Sequence, residues 1–263
     1  MTAALSVSNL RKVFITRKNA VVEAIAGISL DIVESEVVAI LGPSGCGKST
    51  LLRILAGLDD EYEGRIDWSL KKAPDDRLLG ATVFQADSTM PWMTVEKNLL
   101  IGLSGLRLAP TVAEERVREN LSLVGLGGFR RAYPHELSGG MRQRVAIARA
   151  LATHPLLLLM DEPLAALDAQ TRIVMQQELI GIWQRTRSTV VYVTHDIAEA
   201  VALADRVVVM TSRPGRIKAV RSVPFGRDRD VIALRREPAF RELEADLWTM
   251  VTEEVGSSLT ADA

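Results

Sequence analysis

At 263 residues, 48% hydrophobic and 25% charged, the chain is long enough to bury a sizeable core without disulfides or structural metal. Its formal net charge is only -1, with Lys and Arg dispersed rather than clustered, which argues against nucleic acid as a partner. The single cysteine, Cys46, excludes an intramolecular disulfide and suits a reducing compartment, so the cytoplasm is the expected location.

Met1 to Leu10 lacks the basic segment and long apolar run of a secretory signal. Leu5 to Ile32 holds short apolar runs broken by Arg17-Lys18-Asn19, the pattern of strands and turns in an antiparallel β layer. Val37 to Leu41 is a β-branched run that stops at Gly42, and Ser49 to Leu58 resumes with helix-favouring leucines, predicting strand, loop and helix. After a strand at Ala81 to Phe84 comes a mostly helical stretch, in which Thr111 and Glu114 pair as a capping box ahead of Val117, Leu121 and Val124.

Leu156 to Met160 and Thr189 to Thr194 are continuous apolar or β-branched runs of the kind buried on both faces of a parallel sheet. The helical periodicity of Ala169 to Gln184 lies between them, predicting a right-handed β-α-β core with helices on both sides. These apolar stretches are far shorter than the roughly 20 residues a membrane-spanning helix needs, so membrane contact is expected only through a partner. Arg227-Asp228-Arg229-Asp230 reads as a solvated charge cluster, and Phe240, Leu243, Leu247 and Val251 predict a tail helix packed on the core.

Gly42-Pro43-Ser44-Gly45-Cys46-Gly47-Lys48-Ser49-Thr50 fits G-x-x-x-x-G-K-[ST] between its strand and its helix. Glycines permit close backbone approach, so successive amides can surround phosphate oxygens at the positive end of the helix. Lys48 is expected to meet the β and γ phosphates of ATP, Ser49 to ligate Mg²⁺, and Thr50 to add a phosphate hydrogen bond. The competing reading is an ordinary glycine-rich turn, which leaves Lys48-Ser49-Thr50 unexplained. Cys46 reads as a small loop residue without a catalytic role.

Asp161 and Glu162 stand at the carboxyl end of the Leu156 strand, where open α/β sheets bind ligands. Asp161 suits a hold on Mg²⁺, and Glu162 can orient or deprotonate the water that attacks the γ-phosphate. The Thr189 strand delivers His195 to the same edge, where its imidazole can sense the γ-phosphate, although a lone histidine is more often structural. Gln85 can reach the metal through its amide oxygen.

Leu137-Ser138-Gly139-Gly140-Met141-Arg142-Gln143-Arg144 separates this chain from other phosphate-loop proteins. Ser138 can cap a helix whose exposed amides, with Gly139 and Gly140 allowing close approach, form a second anion site. This run resembles the ABC signature, and over roughly its first 220 residues the chain resembles the nucleotide-binding subunit of an ABC transporter. The resemblance implies an α/β P-loop NTPase fold: a RecA-like core, an antiparallel β subdomain and an α-helical subdomain at about 88–153. It places one nucleotide-binding domain at 1–220 and the tail helix at 221–263.

By that resemblance Phe14 stacks on adenine, in place of the more usual tyrosine, and Gln85 is the Q-loop residue. Ala166-Leu167-Asp168 is the D-loop and His195 the switch histidine. Ser35 stands before Glu36 where the family often has glycine, implying a small change in that turn. Two such domains close head to tail, so the resemblance implies a homodimer with Ser138 to Gly140 of one copy covering ATP on the other. It also implies permease subunits in the membrane, an indirect link to an extracytoplasmic solute-binding protein, and a peripheral location on the cytoplasmic face of the inner or plasma membrane. Met90-Pro91-Trp92-Met93 fits a pocket for a partner helix, with satellite core as its alternative.

Pro91-Trp92-Met93-Thr94-Val95, Thr194-His195-Asp196-Ile197-Ala198-Glu199-Ala200 and Arg213-Pro214-Gly215-Arg216-Ile217 resemble the nitrate, sulfonate and taurine importer branch. A soluble non-transport ABC ATPase is one alternative, and no sustained heptad run supports it. A phosphate-loop kinase is another, with no use for Leu137 to Gln143.

Overall fold

A computed structural model describes residues 3–16, 19–69, 74–86 and 88–261. Arg17 and Lys18 of the expected turn, and the last two residues of the tail, lie outside the described residues. In chain order the elements are β1 (Ala3–Ile15), β2 (Val21–Val33), β3 (Val37–Leu41), α1 (Lys48–Leu55), β4 (Glu63–Trp68) and β5 (Gly80–Val83). There follow α2 (Val95–Leu103), α3 (Pro110–Leu123), α4 (Gly139–Ala152), β6 (Leu157–Asp161) and α5 (Ala169–Thr186). The chain ends with β7 (Thr189–Val193), α6 (Ile197–Leu203), β8 (Arg206–Met210), β9 (Ile217–Ser222), α7 (Val231–Leu234) and α8 (Pro238–Ala261). Two compact units result, Met1–Leu70 with Thr189–Ala263, and Lys71–Ser188.

In the first unit β1 pairs antiparallel with β2 on one side and β4 on the other, which is the expected β layer. Ile28, Leu30 and Ile32 of β2 are buried and alternate with exposed Ser29 and Asp31, the period of a strand with one face in the core. A second sheet has β3 at its centre, parallel to both β7 and β8. Every residue of β3 and β7 is buried, as their unbroken apolar runs predict. The edge strand β9 runs antiparallel to β8. Ser35 takes the left-handed conformation at φ 63°, and its amide donates to Thr189 Oγ1 at 3.0 Å, so serine occupies a turn that glycine enters without strain.

The tail helix α8 packs on α6 and β8 through the buried Phe240 and Leu247. The charge cluster ahead of it is not uniformly solvated. Arg229 is only 5% exposed and donates to the carbonyls of Ala202 (3.1 Å), Ala204 (2.8 Å) and Gly226 (2.6 Å) while facing Asp205. It satisfies carbonyls left open where α6 ends, and Asp230 caps α7. Replacing Arg229 with Ala strips donors from these groups and is expected to cost about 3 kcal/mol, read as a lower urea midpoint.

In the second unit β5 and β6 pair in parallel, and α2, α3 and α4 pack on one another. Val95, Leu99, Val117, Leu121, Val145 and Leu151 are buried in this helical cluster. The expected capping box at Thr111 and Glu114 does not form. α3 begins at Pro110 after Ala109, whose side chain offers no acceptor for a cap; proline's missing amide is one the helix start leaves unpaired anyway, and its fixed φ suits a first helical turn. Among the described residues, no helix is long and apolar enough to cross a membrane.

Candidate functional site

The phosphate loop belongs to the first unit. Gly47 stands ahead of α1 at φ 102°, a left-handed conformation, and no side chain caps that helix. A Cβ at Gly47 would lie 2.9 Å from the Ala24 carbonyl, so both conformation and space demand glycine. Lys48 is buried, and its ammonium donates to the carbonyls of Gly42 at 2.7 Å and Pro43 at 2.9 Å. The lysine thus sits in the concavity of its own loop. Ser44, Gly45 and Ser49 line the exposed rim. Amides at an uncapped helix start with a cation beside them are a donor set for phosphate oxygens, so the residues present fit a nucleoside triphosphate. Burial pushes the Cys46 thiol up despite Lys48 nearby, which keeps it protonated and inert.

Phe14, on β1, is 42% exposed, and the Lys12 ammonium lies 4.9 Å from its ring centroid. A half-exposed aromatic ring of this kind is what base stacking requires. His195 is exposed just beyond β7. The turn that carries it is fixed by a buried carboxylate missed in the sequence reading: Glu199 accepts from Tyr192 Oη at 2.8 Å and Thr194 Oγ1 at 2.5 Å. The Asp196 side chain accepts from the Glu199 amide at 3.0 Å and starts α6. A carboxylate in an otherwise apolar run, Ile197 to Leu203, was the available signal.

The carboxylates and the signature belong to the second unit. Asp161 ends β6 and is only 7% exposed, while Glu162 takes φ 44°, a left-handed conformation uncommon for a side chain of its size. Gln85 Nε2 donates to Glu162 Oε2 at 2.9 Å, so two residues far apart in sequence meet. Gln143, buried in α4, donates to the Phe84 carbonyl at 3.1 Å and so holds the chain next to Gln85. Its position in the signature run was visible, but its target was not.

Ser138 Oγ accepts from the Met141 amide at 3.3 Å, forming the expected cap on α4. Gly139 and Gly140 open that helix, and Gly140 faces Ala166 and Leu167 of the D-loop. Asp168 caps α5, accepting from the Gln170 amide at 3.1 Å and the Thr171 amide at 3.0 Å; the Thr171 bond leads in holding its carboxyl below the usual range. Trp92 is 70% exposed and so is not core, while Met90 and Met93 beside it are half-buried. Beneath it the buried Asn98 accepts from the Met90 amide at 2.7 Å and donates to the Met90, Met93 and Thr94 carbonyls, holding the Met90 to Thr94 turn in shape. Among the described residues no group of three His, Cys, Asp or Glu could hold a metal.

Comparison with known proteins gives one consistent answer. The ABC transporter family profile matches residues 25–165. An uncharacterized ABC transporter ATP-binding protein of Methanocaldococcus jannaschii is 46% identical over 259 residues, covering 98% of this chain and 95% of that one. An aliphatic sulfonates import ATP-binding protein, SsuB of Bacillus cereus, is 40% identical over 86% of this chain and 89% of its own. The nitrate import ATP-binding protein NrtD of a Synechocystis strain is 43% identical over 90% of each. Among solved structures, the dimeric ABC transporter cassette MJ0796 superposes with TM-score 0.74 at 31% identity, over 84% of this chain and all of that one. Its post-hydrolysis form with ADP and Pi gives 0.73.

Proposed function

The chain belongs to the ABC transporter family and is an ATPase of that family, and from that premise we propose that it powers import of a small oxyanion such as a sulfonate or nitrate. Two copies work with membrane permease subunits, at the cytoplasmic face, on behalf of an extracytoplasmic solute-binding protein. Relatives named for sulfonate and nitrate import support the solute class, and a dimeric cassette at 31% identity supports the pair. The observation that carries the reading is the presence in one chain of the Lys48 loop, the Ser138-capped α4 and the Gln85–Glu162 pair. A phosphate-loop kinase has no use for a second anion-binding helix.

In this reading Phe14 stacks on the base, the amides of Gly42 to Thr50 and the Lys48 ammonium bind phosphate oxygens, and Ser138, Gly139 and Gly140 act on nucleotide held by the other copy. Ser49, Gln85 and Asp161 offer the hydroxyl, amide and carboxylate oxygens that magnesium takes. The metal, when bound, neutralises phosphate charge. Glu162 takes the proton of the attacking water, Gln85 orients that carboxylate, and His195 contacts the γ-phosphate. The helical part at 88–153 presents Trp92 to the permease, and 221–263 forms the tail.

The test is reconstitution with the co-purifying permease in liposomes. ATP hydrolysis is expected to rise several-fold when a binding protein loaded with a sulfonate or nitrate is added. Recovery wholly in the cytosolic fraction, bound to ribosomes or DNA, would overturn the transport assignment in favour of a soluble ABC ATPase.

A further inference from the structure

Arg213-Pro214-Gly215-Arg216 has no place in the site described above, yet its turn is built into the phosphate loop. The Gly215 amide donates to the Ala24 carbonyl at 3.0 Å, and the Gly215 carbonyl accepts from the Ala26 amide at 3.0 Å. That pairing stitches the turn to β2 at the same Ala24 carbonyl against which Gly47 is packed. A Cβ on Gly215 would stand 2.2 Å from the Cys46 carbonyl oxygen, inside contact distance of the phosphate-loop backbone. Arg213 reaches the loop from its outer side, with Nε and Nη2 at 3.4 and 3.5 Å from the Gly45 carbonyl oxygen.

The turn is closed on itself by Thr211, whose hydroxyl donates to the Pro214 carbonyl at 3.1 Å and accepts from the Arg216 amide at 3.0 Å. Its other anchor is the tail helix. Glu254 of α8 accepts from the Ser212 amide at 2.9 Å and pairs with Lys218 of β9 at 2.8 Å. Lys218 also donates to the Met250 carbonyl at 3.1 Å and to Glu253 at 2.8 Å. Burial pushes the Glu254 carboxyl up, but the donors from Lys218 and Ser212 outweigh it and hold the group below its ordinary range, as a charged anchor.

From these contacts we infer that the turn from Thr211 to Arg216 is a strap positioning the phosphate loop, and that α8 sets nucleotide affinity by holding the strap through Glu254. Glu254 and Gly215 are positioning residues: neither touches nucleotide, and each acts through the backbone of Gly45 and Cys46. Backbone amides bind phosphate well only when already aimed at it, so a loosened loop loses affinity before it loses its fold. The inference rests on the reading of Gly42 to Thr50 as the ATP site.

The experiment titrates Mg-ATP against the full chain and against Glu254→Ala, Glu254→Gln, Gly215→Ala and Trp248→Ala. Steady-state ATPase activity and thermal unfolding are measured on each. Glu254→Ala is expected to weaken ATP binding about five-fold and raise KM in proportion, with kcat within about two-fold of the parent, the split that marks lost ground-state binding. Gly215→Ala is expected to lose at least about ten-fold, because a backbone carbonyl must move. Glu254→Gln keeps an acceptor for the Ser212 amide and restores affinity, and Trp248→Ala, on the exposed face of α8, leaves it unchanged. A Glu254→Ala protein with a lower melting temperature but parental Kd and KM would overturn the strap alone. Failure of the parent chain to bind ATP would overturn the phosphate-site reading together with it.

Discussion

Glu162→Gln is expected to cut ATP turnover roughly a thousand-fold, in the middle of the range that a positioned general base contributes, while ATP affinity stays within about two-fold. The amide is isosteric with the carboxylate and keeps an oxygen for the Gln85 donor at 2.9 Å, so the geometry at the end of β6 survives. Only the capacity to take a proton from water is removed. The left-handed backbone of Glu162 is equally accessible to glutamine, which excludes strain as the cause of a loss. Phosphate release measured beside equilibrium ATP binding separates the two terms, and ATP-dependent dimerisation, followed by sedimentation, is expected to persist. Near-normal hydrolysis by this variant would remove Glu162 from the role assigned to it.

The backbone frame was legible in the residues because local and tertiary preferences agree there. Val37 to Leu41 and Thr189 to Val193 are unbroken β-branched or apolar runs, and they are buried on all sides. Ser138 stands where helix α4 needs an acceptor, and it caps that helix as expected. Two readings failed, one through a distant partner and one through an adjacent residue. Arg229 belongs to a charge cluster by composition, but its environment is set by carbonyls more than twenty residues earlier. The Thr111 cap failed because Pro110 already makes a stable helix start.

The site divides in the same way. Residue types at fixed spacing announce the Lys48 loop, since its chemistry is contiguous. The Gln85–Glu162 bond, the grip of Gln143 on Phe84 and the cage around Glu199 join residues through the fold, and no short window contains both partners of the first two. Thr194 and Glu199 do share one window, but a carboxylate among Ile197, Val201 and Leu203 is ambiguous without knowledge of which face is buried. The same holds for Gly215. A glycine after proline reads as turn chemistry, and only the Cys46 carbonyl shows that the requirement there is space.

Lys48→Ala is expected to weaken Mg-ATP binding about a hundred-fold, a loss that appears in KM and in equilibrium titration alike. The estimate follows from two charge-assisted bonds to phosphate oxygens at about 1.5 kcal/mol each, with about 1.4 kcal/mol per decade of affinity. Part of any loss could arise from the loop itself, because the ammonium also satisfies the Gly42 and Pro43 carbonyls. The two causes separate on ADP. If the lysine acts at the β and γ phosphates, removing the γ-phosphate from the ligand shrinks the difference between variant and parent; if it acts only by shaping the loop, ATP and ADP lose equally. Unchanged ATP affinity would contradict the phosphate contact outright. Equal losses on both nucleotides would recast Lys48 as a structural part of the loop and leave the backbone amides as the principal phosphate ligands.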